Sequence, residues 1–151
     1  MHTYRTRLVS VVAFALAACS AKAPTADEQF LDQVHTKVRS DLKDPDSAQF
    51  QKEEVYAAKK VACGEVNAKN SFGGYTGFDG YSYYDEQPHL QSDEFDKFMR
   101  GQGLCTVAKA EQGIEETRRS EIPEDQKRNI IKTYQEVIDE VKRNPTFQHH
   151  I

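Results

Sequence analysis

The N-terminal segment most constrains how this chain can fold, because it has the pattern of an export signal. Arg5 and Arg7 precede an apolar run from Leu8 to Leu16, and small residues lead up to Cys19. A basic segment, a short apolar segment and small residues before a cleavage point are the marks of a signal peptide. The run is far shorter than the roughly 20 residues that a membrane-spanning helix needs. We therefore leave residues 1–18 out of the folded domain.

The sequence around Cys19 predicts how the mature chain is attached. Leu16-Ala17-Ala18-Cys19 resembles the lipobox of bacterial lipoproteins, in which the cysteine is acylated and becomes the new N-terminus. Ser20, rather than Asp, follows it, which in Gram-negative lipoproteins implies sorting to the outer membrane. The resemblance predicts lipidation at Cys19 and an outer-membrane lipoprotein that faces the periplasm or the cell surface. The lipid bilayer is then its first partner. A plain secretory signal is the alternative.

The composition of the mature chain limits its other partners. Arg5 and Arg7 leave with the signal, so 18 basic and 24 acidic residues remain and the net charge is −6. Phosphate binding needs clustered Lys and Arg, so we expect neither nucleic acid nor anionic lipid headgroups as partners. The 133 residues after residue 18 suffice for one domain with its own core.

Two cysteines remain once Cys19 is assigned to lipid. Cys63 and Cys105 belong to an exported chain, in which a remaining pair of cysteines usually forms a disulfide. The alternative is a nucleophilic thiol on one of them with a histidine nearby. We expect the disulfide.

The first part of the mature chain predicts a tether and then a helix. Residues 19–26 are small and polar and predict a short flexible tether, after which an α+β domain is expected over residues 27–105. Apolar residues recur at three- and four-residue spacing after Asp27, which predicts a helix. Asp44-Pro45 stops it, since proline cannot continue the hydrogen-bond ladder.

The middle of the chain predicts a small antiparallel sheet of about three strands, packed against this helix. Ala48–Val66 divides into two strands with a turn at Lys59-Lys60. Asn67 to Ser71 predicts a loop. A third strand is expected from Phe72 to about Tyr84, where aromatic residues alternate with glycines.

A short helix is predicted over residues 93–99. Ser92 is a residue type that caps helix N-termini. Gly101 and Gly103 are expected to end this helix and to bring Cys105 to its disulfide partner.

Residues 106–151 predict a helical C-terminal extension. Residues 106–120 are polar and predict a weak helix or a linker. An apolar stripe between Pro123 and Asn144-Pro145 predicts a long C-terminal helix. The predicted fold class is therefore α+β, with a small sheet against an N-terminal helix and a long C-terminal helix.

Three strings in the middle of the chain resemble a known group. Residues 44–50, 63–70 and 73–77 read DPDSAQF, CGEVNAKN and GGYTG. They are similar to a pattern, roughly DPxSAxF, CGxVNAKN and GGYxG, of small uncharacterised exported proteins and lipoproteins of proteobacteria and their mobile elements. The resemblance covers about residues 30–84 and implies a domain and a compartment, but no activity.

The loop after the second predicted strand is the first candidate site. Asn67, Lys69 and Asn70, beside Gly73-Gly74, could form a backbone cradle for a carboxylate or phosphate. The alternative, which we favour, is a tight connection in which the asparagines bond to their own backbone.

A dense group of aromatic residues is the second candidate. Alternation along a strand predicts that they cannot all face the core, and Tyr and Phe are preferred anchors at interfaces. We select Tyr75 and Tyr81, with Asn67, Lys69 and Asn70, as the candidate binding surface for an envelope protein or a cell-wall glycan. The alternative is sheet surface covered by the C-terminal helix. The group consists of Phe72, Tyr75, Phe78, Tyr81, Tyr83 and Tyr84.

The sequence offers no catalytic motif, and we assign no catalytic, cofactor-binding or metal-ligating residue. A binding module therefore suits it better than an enzyme. One alternative is a peptidoglycan hydrolase that uses Glu65 or Asp85 with His89, although paired acidic residues are weak evidence in a chain of which 29% is charged. Another is a purely structural envelope protein.

Overall fold

Residues 22–148, described by a computed structural model, form an α+β fold with an N-terminal helix, a sheet and a long C-terminal helix, as predicted. The sheet of this part of the chain is antiparallel and has four strands, in chain order, rather than about three. The helices are α1 (Ala26–Asp41), α2 (Phe95–Arg119), α3 (Glu124–Arg143) and α4 (Pro145–Gln148). The strands are β1 (Gln49–Tyr56), β2 (Val61–Asn67), β3 (Asp79–Tyr84) and β4 (Gln87–Leu90).

The predicted signal and lipidation site lie outside the described residues. Residues 1–18 and Cys19 belong to that N-terminal part of the chain. Of the predicted tether, residues 22–25 precede α1, and Ala26 is already helical. Within residues 22–148, no helix is both long enough and apolar enough to cross a membrane.

The predicted first helix is confirmed, and α1 begins with a capping box. The Glu28 N–H donates to the Thr25 hydroxyl at 3.2 Å, and the Thr25 N–H donates to the Glu28 carboxylate at 2.6 Å. Hydrogen bonds from the backbone and the side chain of Thr25 hold the pKa of Glu28 below its usual value. Val34 and Val38 of α1 are fully buried against the sheet.

The sheet lies between α1 and α2 because alternate residues of β2 face opposite sides. Ala62 packs in the cluster that contains the buried valines of α1. Val61 and Cys63 pack on the other side against Cys105 of α2. The predicted disulfide between Cys63 and Cys105 is confirmed, and it joins the sheet to α2 in a buried position.

A bulge in β1 shapes the α1 side of the sheet. The register between β1 and β2 shifts at Lys52 and Glu53, which both oppose Gly64. Lys52 has a φ of +52°, in the left-handed region. A Cβ at Gly64 would lie 2.8 Å from Cε1 of Tyr81, so this glycine makes room for a buried tyrosine ring.

The predicted start of the third strand is wrong. β3 begins at Asp79, whereas residues 68–78 form a loop. Gly73 and Gly77 have φ values of +81° and +101°, which β-ladder geometry does not allow. Glycines that looked like strand positions are therefore turn positions, and the predicted loop is longer than Asn67 to Ser71.

The fourth strand follows a tight turn that the sequence did not reveal. Asp85 and Glu86 both have positive φ, +50° and +62°, and Tyr84 pairs with Gln87 across them. Two-residue hairpin turns of this kind usually contain Asn-Gly or Asp-Gly. The Asp-Glu pair lacks the glycine, so the usual hairpin signal is missing.

The predicted helix near residues 93–99 is present, but its predicted end at Gly101 and Gly103 is wrong, because α2 runs without a break from Phe95 to Arg119. Its N-cap is Glu94, and the hydroxyl of Ser92 instead donates to Asp79 at 2.5 Å. Gly101 lies inside the helix, where a Cβ would come within 2.1 Å of the Ser82 hydroxyl. This glycine therefore permits close packing of α2 on the sheet rather than ending the helix.

The long C-terminal helix is confirmed as α3, which runs from the N-cap Pro123 to the C-cap Asn144. It packs antiparallel on α2 around a cluster that contains Ile114 and Ile138. The expected division between residues 105 and 106 falls within α2, so it does not coincide with a break in secondary structure.

Candidate functional site

The loop between β2 and β3, residues 68–78, is held to the body of the protein at both ends. We call it the Phe72 loop. The Lys69 N–H donates to the Ser47 hydroxyl at 2.8 Å, and the Gly77 N–H donates to the Asn67 side-chain oxygen at 3.2 Å. Lys69 also forms an isolated antiparallel bridge with Tyr75, which draws the two arms of the loop together.

Asn70 organises the tip of the Phe72 loop. Its side-chain oxygen accepts hydrogen bonds from the N–H groups of Phe72 and Gly74, at 2.9 and 3.2 Å. Its own N–H donates to the Gly74 carbonyl and its carbonyl accepts from the Gly73 N–H, both at 2.9 Å. These contacts match the local bonding of asparagines that we favoured, and they use the N–H groups that an anion cradle would need.

Phe72 projects from this tip almost without contacts. Its side chain is 97% exposed, against 46% for Tyr75 and 44% for Phe78. The three aromatic residues of the Phe72 loop are therefore on the surface, whereas the three of β3 are buried. The six aromatic residues therefore divide between a surface loop and the core. Alternation along one strand predicted only that some of them are exposed, not which ones.

Tyr75 supports one side of the loop. Its hydroxyl donates to the Ser47 carbonyl at 3.2 Å and accepts from the Gln49 side-chain amide at 3.4 Å. The Lys69 ammonium lies 5.6 Å from the centre of its ring. Lys69, Asn70 and Tyr75, all predicted site residues, therefore meet in one place. Asn67 lies beneath them, buried, as a support.

Tyr81 does not belong to the surface, which corrects the prediction. It is fully buried on the α1 side of β3. Its hydroxyl donates to Oε1 of Glu53 at 2.5 Å. That carboxylate oxygen also lies 2.6 Å from Nε2 of His35. Burial, followed by the Glu53 carboxylate, raises the pKa of Tyr81 far above its usual value. The imidazole of His35 stacks on Phe50 with ring centres 3.9 Å apart.

The residues considered for hydrolysis are placed differently from one another. Glu65 lies on β2 and binds Gln51 at 2.7 Å and Lys52 at 3.0 Å, and hydrogen bonds from Lys52 and then Gln51 hold its pKa below the usual value. Asp85 and His89 instead line one cavity of about 650 Å³. Only the second of the two predicted pairings therefore shares a cavity.

Sequence reasoning missed the partner of His89. Nδ1 of this buried imidazole lies 2.6 Å from the carboxylate of Glu94, which also binds Lys97 at 2.5 Å. Hydrogen bonds from Lys97 and then from His89 lower the pKa of Glu94, and Glu94 raises the pKa of Lys97. Glu94 is the N-cap of α2, so only the true start of that helix would have placed it beside β4.

Within residues 22–148, no three side chains of His, Cys, Asp or Glu converge so as to hold a metal ion. Comparison of the chain with protein-family models, with curated proteins and with solved structures found no match.

Proposed function

We propose that this protein is a lipoprotein of the cell envelope that binds a protein partner through the Phe72 loop. The acyl chains on Cys19 attach the mature chain to the outer membrane, and the tether places the folded domain close to that surface. The proposal of an anchor rests on the basic and apolar segments before Leu16-Ala17-Ala18-Cys19.

The exposure of Phe72 carries the binding proposal. Transfer of a phenylalanine side chain from water into a protein pocket contributes about 2 kcal/mol. An ordered loop also loses little conformational freedom on binding, which leaves more of this free energy for affinity. A large apolar side chain that is 97% exposed on a loop pinned by Asn70 therefore supports a role as a preformed anchor.

The shape of the loop favours a protein pocket over a glycan. Sugar rings stack on broad aromatic faces, and the ring of Tyr75 already has the Lys69 ammonium near its centre. Phe72 instead stands alone at a tip, as a single projecting side chain that fits a concave apolar pocket. The polar groups of Lys69 and Asn70 would lie at the rim of such a contact, as in most protein interfaces.

Site-directed crosslinking tests this proposal in intact cells. Benzoylphenylalanine at position 72 keeps an aromatic ring at the tip of the loop, and the same residue at exposed Gln126 on α3 is the matched control. We expect a discrete adduct from position 72 that position 126 does not give, and that Asn70→Ala, which releases the tip, weakens. Equal adducts at both positions, or none at position 72, would contradict the proposal.

A pelleting assay with purified cell-wall sacculi separates a glycan from a protein partner. The protein binding proposal expects the protein to stay in the supernatant. Co-sedimentation that Phe72→Ala abolishes, and that Gln126→Ala leaves unchanged, would assign the loop to glycan instead.

The anchor has its own test. Cells grown with radiolabelled palmitate should label the wild-type protein but not Cys19→Ser, which should also leave the membrane fraction. Unlabelled wild-type protein would leave a plain secretory signal as the explanation of the N-terminal pattern.

One observation supports a second candidate function, a hydrolase that acts on peptidoglycan. Asp85 and His89 line the same cavity, and Glu94 holds one nitrogen of the imidazole, as general-base histidines are held. Release of soluble fragments from sacculi by the wild-type protein, but not by His89→Gln, would favour this candidate over binding alone.

A further inference from the structure

The cavity beside His89 lies between three elements and on a different part of the molecule from the Phe72 loop residues. The turn after β3, the first turns of α2 and the start of α4 surround it. Its volume of about 650 Å³ is in the range of small-molecule sites. It has the mixed walls of such sites, with the ring of Tyr84 and the ring of Pro145 among charged and polar side chains.

His89 is built into the wall of this cavity. The residue is 8% exposed, and its Nδ1 lies 2.6 Å from the Glu94 carboxylate. Because a carboxylate only accepts hydrogen bonds, a neutral imidazole keeps its proton on Nδ1 and has a lone pair on Nε2. Nε2 forms no hydrogen bond with residues 22–148. In that neutral form, Nε2 is an unoccupied acceptor in a side chain that lines the cavity.

Two carboxylates complete this set of acceptors. Asp85, in the turn after β3, and Asp96, in the first turn of α2, line the cavity. In the described part of the chain neither forms an ion pair or a hydrogen bond. Lys97, on the same wall, is bound to Glu94 instead. Three acceptors thus remain open on the cavity, and two of them carry negative charge.

We propose that this cavity binds a small organic ligand that carries a protonated amine. The acceptors open to the ammonium are the carboxylates of Asp85 and Asp96 at the mouth and Nε2 of His89 in the wall. A short alkyl portion lies against Tyr84 and Pro145. The guanidinium of Arg100, which also lines the cavity, lies 6.0 Å from the centre of the Tyr84 ring.

A matched pair of probes tests the charge of the ligand. Butylamine, protonated at neutral pH, and butanoate have similar apolar parts and opposite charge. Each is titrated to millimolar concentration into the full chain in detergent micelles, with amide chemical shifts as the readout. We expect saturable shifts around Gln87 and Asp96 with the ammonium, and none that saturate with butanoate.

Charge-neutralising variants connect the shifts to the proposed groups. Asp85→Asn and Asp96→Asn should each weaken butylammonium binding several-fold, whereas Asp125→Asn, exposed on α3, should leave it unchanged. Both cavity positions are exposed, so these variants keep the fold, which their amide spectra would verify. Absence of saturable shifts, equal binding of butanoate, or full binding by both cavity variants would overturn the proposal.

Discussion

The hydroxyl of Tyr81 donates a hydrogen bond of 2.5 Å to the carboxylate of Glu53, in the layer between the sheet and α1. The tyrosine is fully buried, and the bulge in β1 places Glu53 opposite Gly64, over which the tyrosine ring lies. Hydrogen bonds to charged groups contribute more to stability than neutral ones do. The contact thus places the Glu53 carboxylate against the core. Tyr81, which the sequence analysis assigned to a binding surface, is part of that core.

Tyr81→Phe removes the hydroxyl and keeps the ring. We expect it to lower the free energy of unfolding by about 2 kcal/mol, because Glu53 loses a donor in a partly buried position. Urea denaturation of the two proteins measures the difference. Tyr75→Phe is the control, since its hydroxyl is bonded at the surface and its loss should cost less than about 0.5 kcal/mol. Equal stability of Tyr81→Phe and the wild type would show that the Glu53 contact contributes nothing.

Gly64→Ala should be strongly destabilising, although it changes a residue by only one methyl group. The added Cβ would lie 2.8 Å from the Tyr81 ring, and overpacking of this kind costs about 1–3 kcal/mol. Gly74→Ala is a matched control. The nearest atom to a Cβ there is the Asn70 side-chain oxygen at 3.9 Å, so the variant should lie within about 0.5 kcal/mol of the wild type. If the two variants unfold at the same urea concentration, the packing argument is wrong.

Local patterns predicted the parts of the fold that depend on neighbours in the chain. The apolar periodicity of α1 and α3, the turn near Lys59-Lys60 and the pairing of Cys63 with Cys105 all follow from nearby residues or from composition. These features could be predicted without knowing what each helix or strand packs against.

The errors arose where tertiary contacts decide. Gly101 has the sequence character of a helix stop, but its lack of a side chain is used for contact with Ser82. Gly73 and Gly77, in contrast, do have positive φ, and the third strand starts only after them, at Asp79. No single-sequence rule distinguishes a packing glycine from a turn glycine, since the difference lies in the neighbouring element.

The same reason explains the candidate site. Asn67 and Asn70 could be selected from the sequence because their side chains bond to backbone N–H groups of the Phe72 loop, a few positions along the chain. The contact between His89 and Glu94 needed the position of the first turn of α2 beside β4, which the wrong helix boundary concealed.

Ser82→Ala should not destabilise the protein and should stabilise it by up to about 1 kcal/mol. The Ser82 hydroxyl is buried and has no hydrogen-bond partner among residues 22–148. Folding therefore removes this hydroxyl from water without replacing its hydrogen bonds, and the alanine variant does not have that free-energy cost. Ser47→Ala should have the opposite effect, a loss of about 1 kcal/mol, because that hydroxyl bonds to both Lys69 and Asp44. Thermal unfolding compares the two. A loss of stability in Ser82→Ala similar to that in Ser47→Ala would contradict the assignment.

Removal of the disulfide should be the most destabilising of these changes. Cys63 and Cys105 are 42 positions apart, and closing a loop of that length contributes about 4 kcal/mol in the chain-entropy description. The double variant Cys63→Ala/Cys105→Ala should therefore unfold at a much lower urea concentration than the oxidised protein. A reductant should lower the stability of the wild type and leave that of the variant unchanged. Identical unfolding of oxidised protein and variant would show that the disulfide does not stabilise the fold.

The pairing of Glu94 with Lys97 and His89 predicts part of the acid sensitivity of the fold. The pKa of Glu94 is lowered in the folded protein, so its contribution to stability is present above the unfolded pKa, about 4.3 for a glutamate. That contribution is lost as the pH falls through the lower pKa of the folded state. Glu94→Gln should therefore lose less stability than the wild type between neutral and acid pH. Glu140→Gln, exposed on α3, should follow the wild type. Parallel stability curves for Glu94→Gln and the wild type, measured by urea denaturation across this range, would remove Glu94 as a source of the pH dependence.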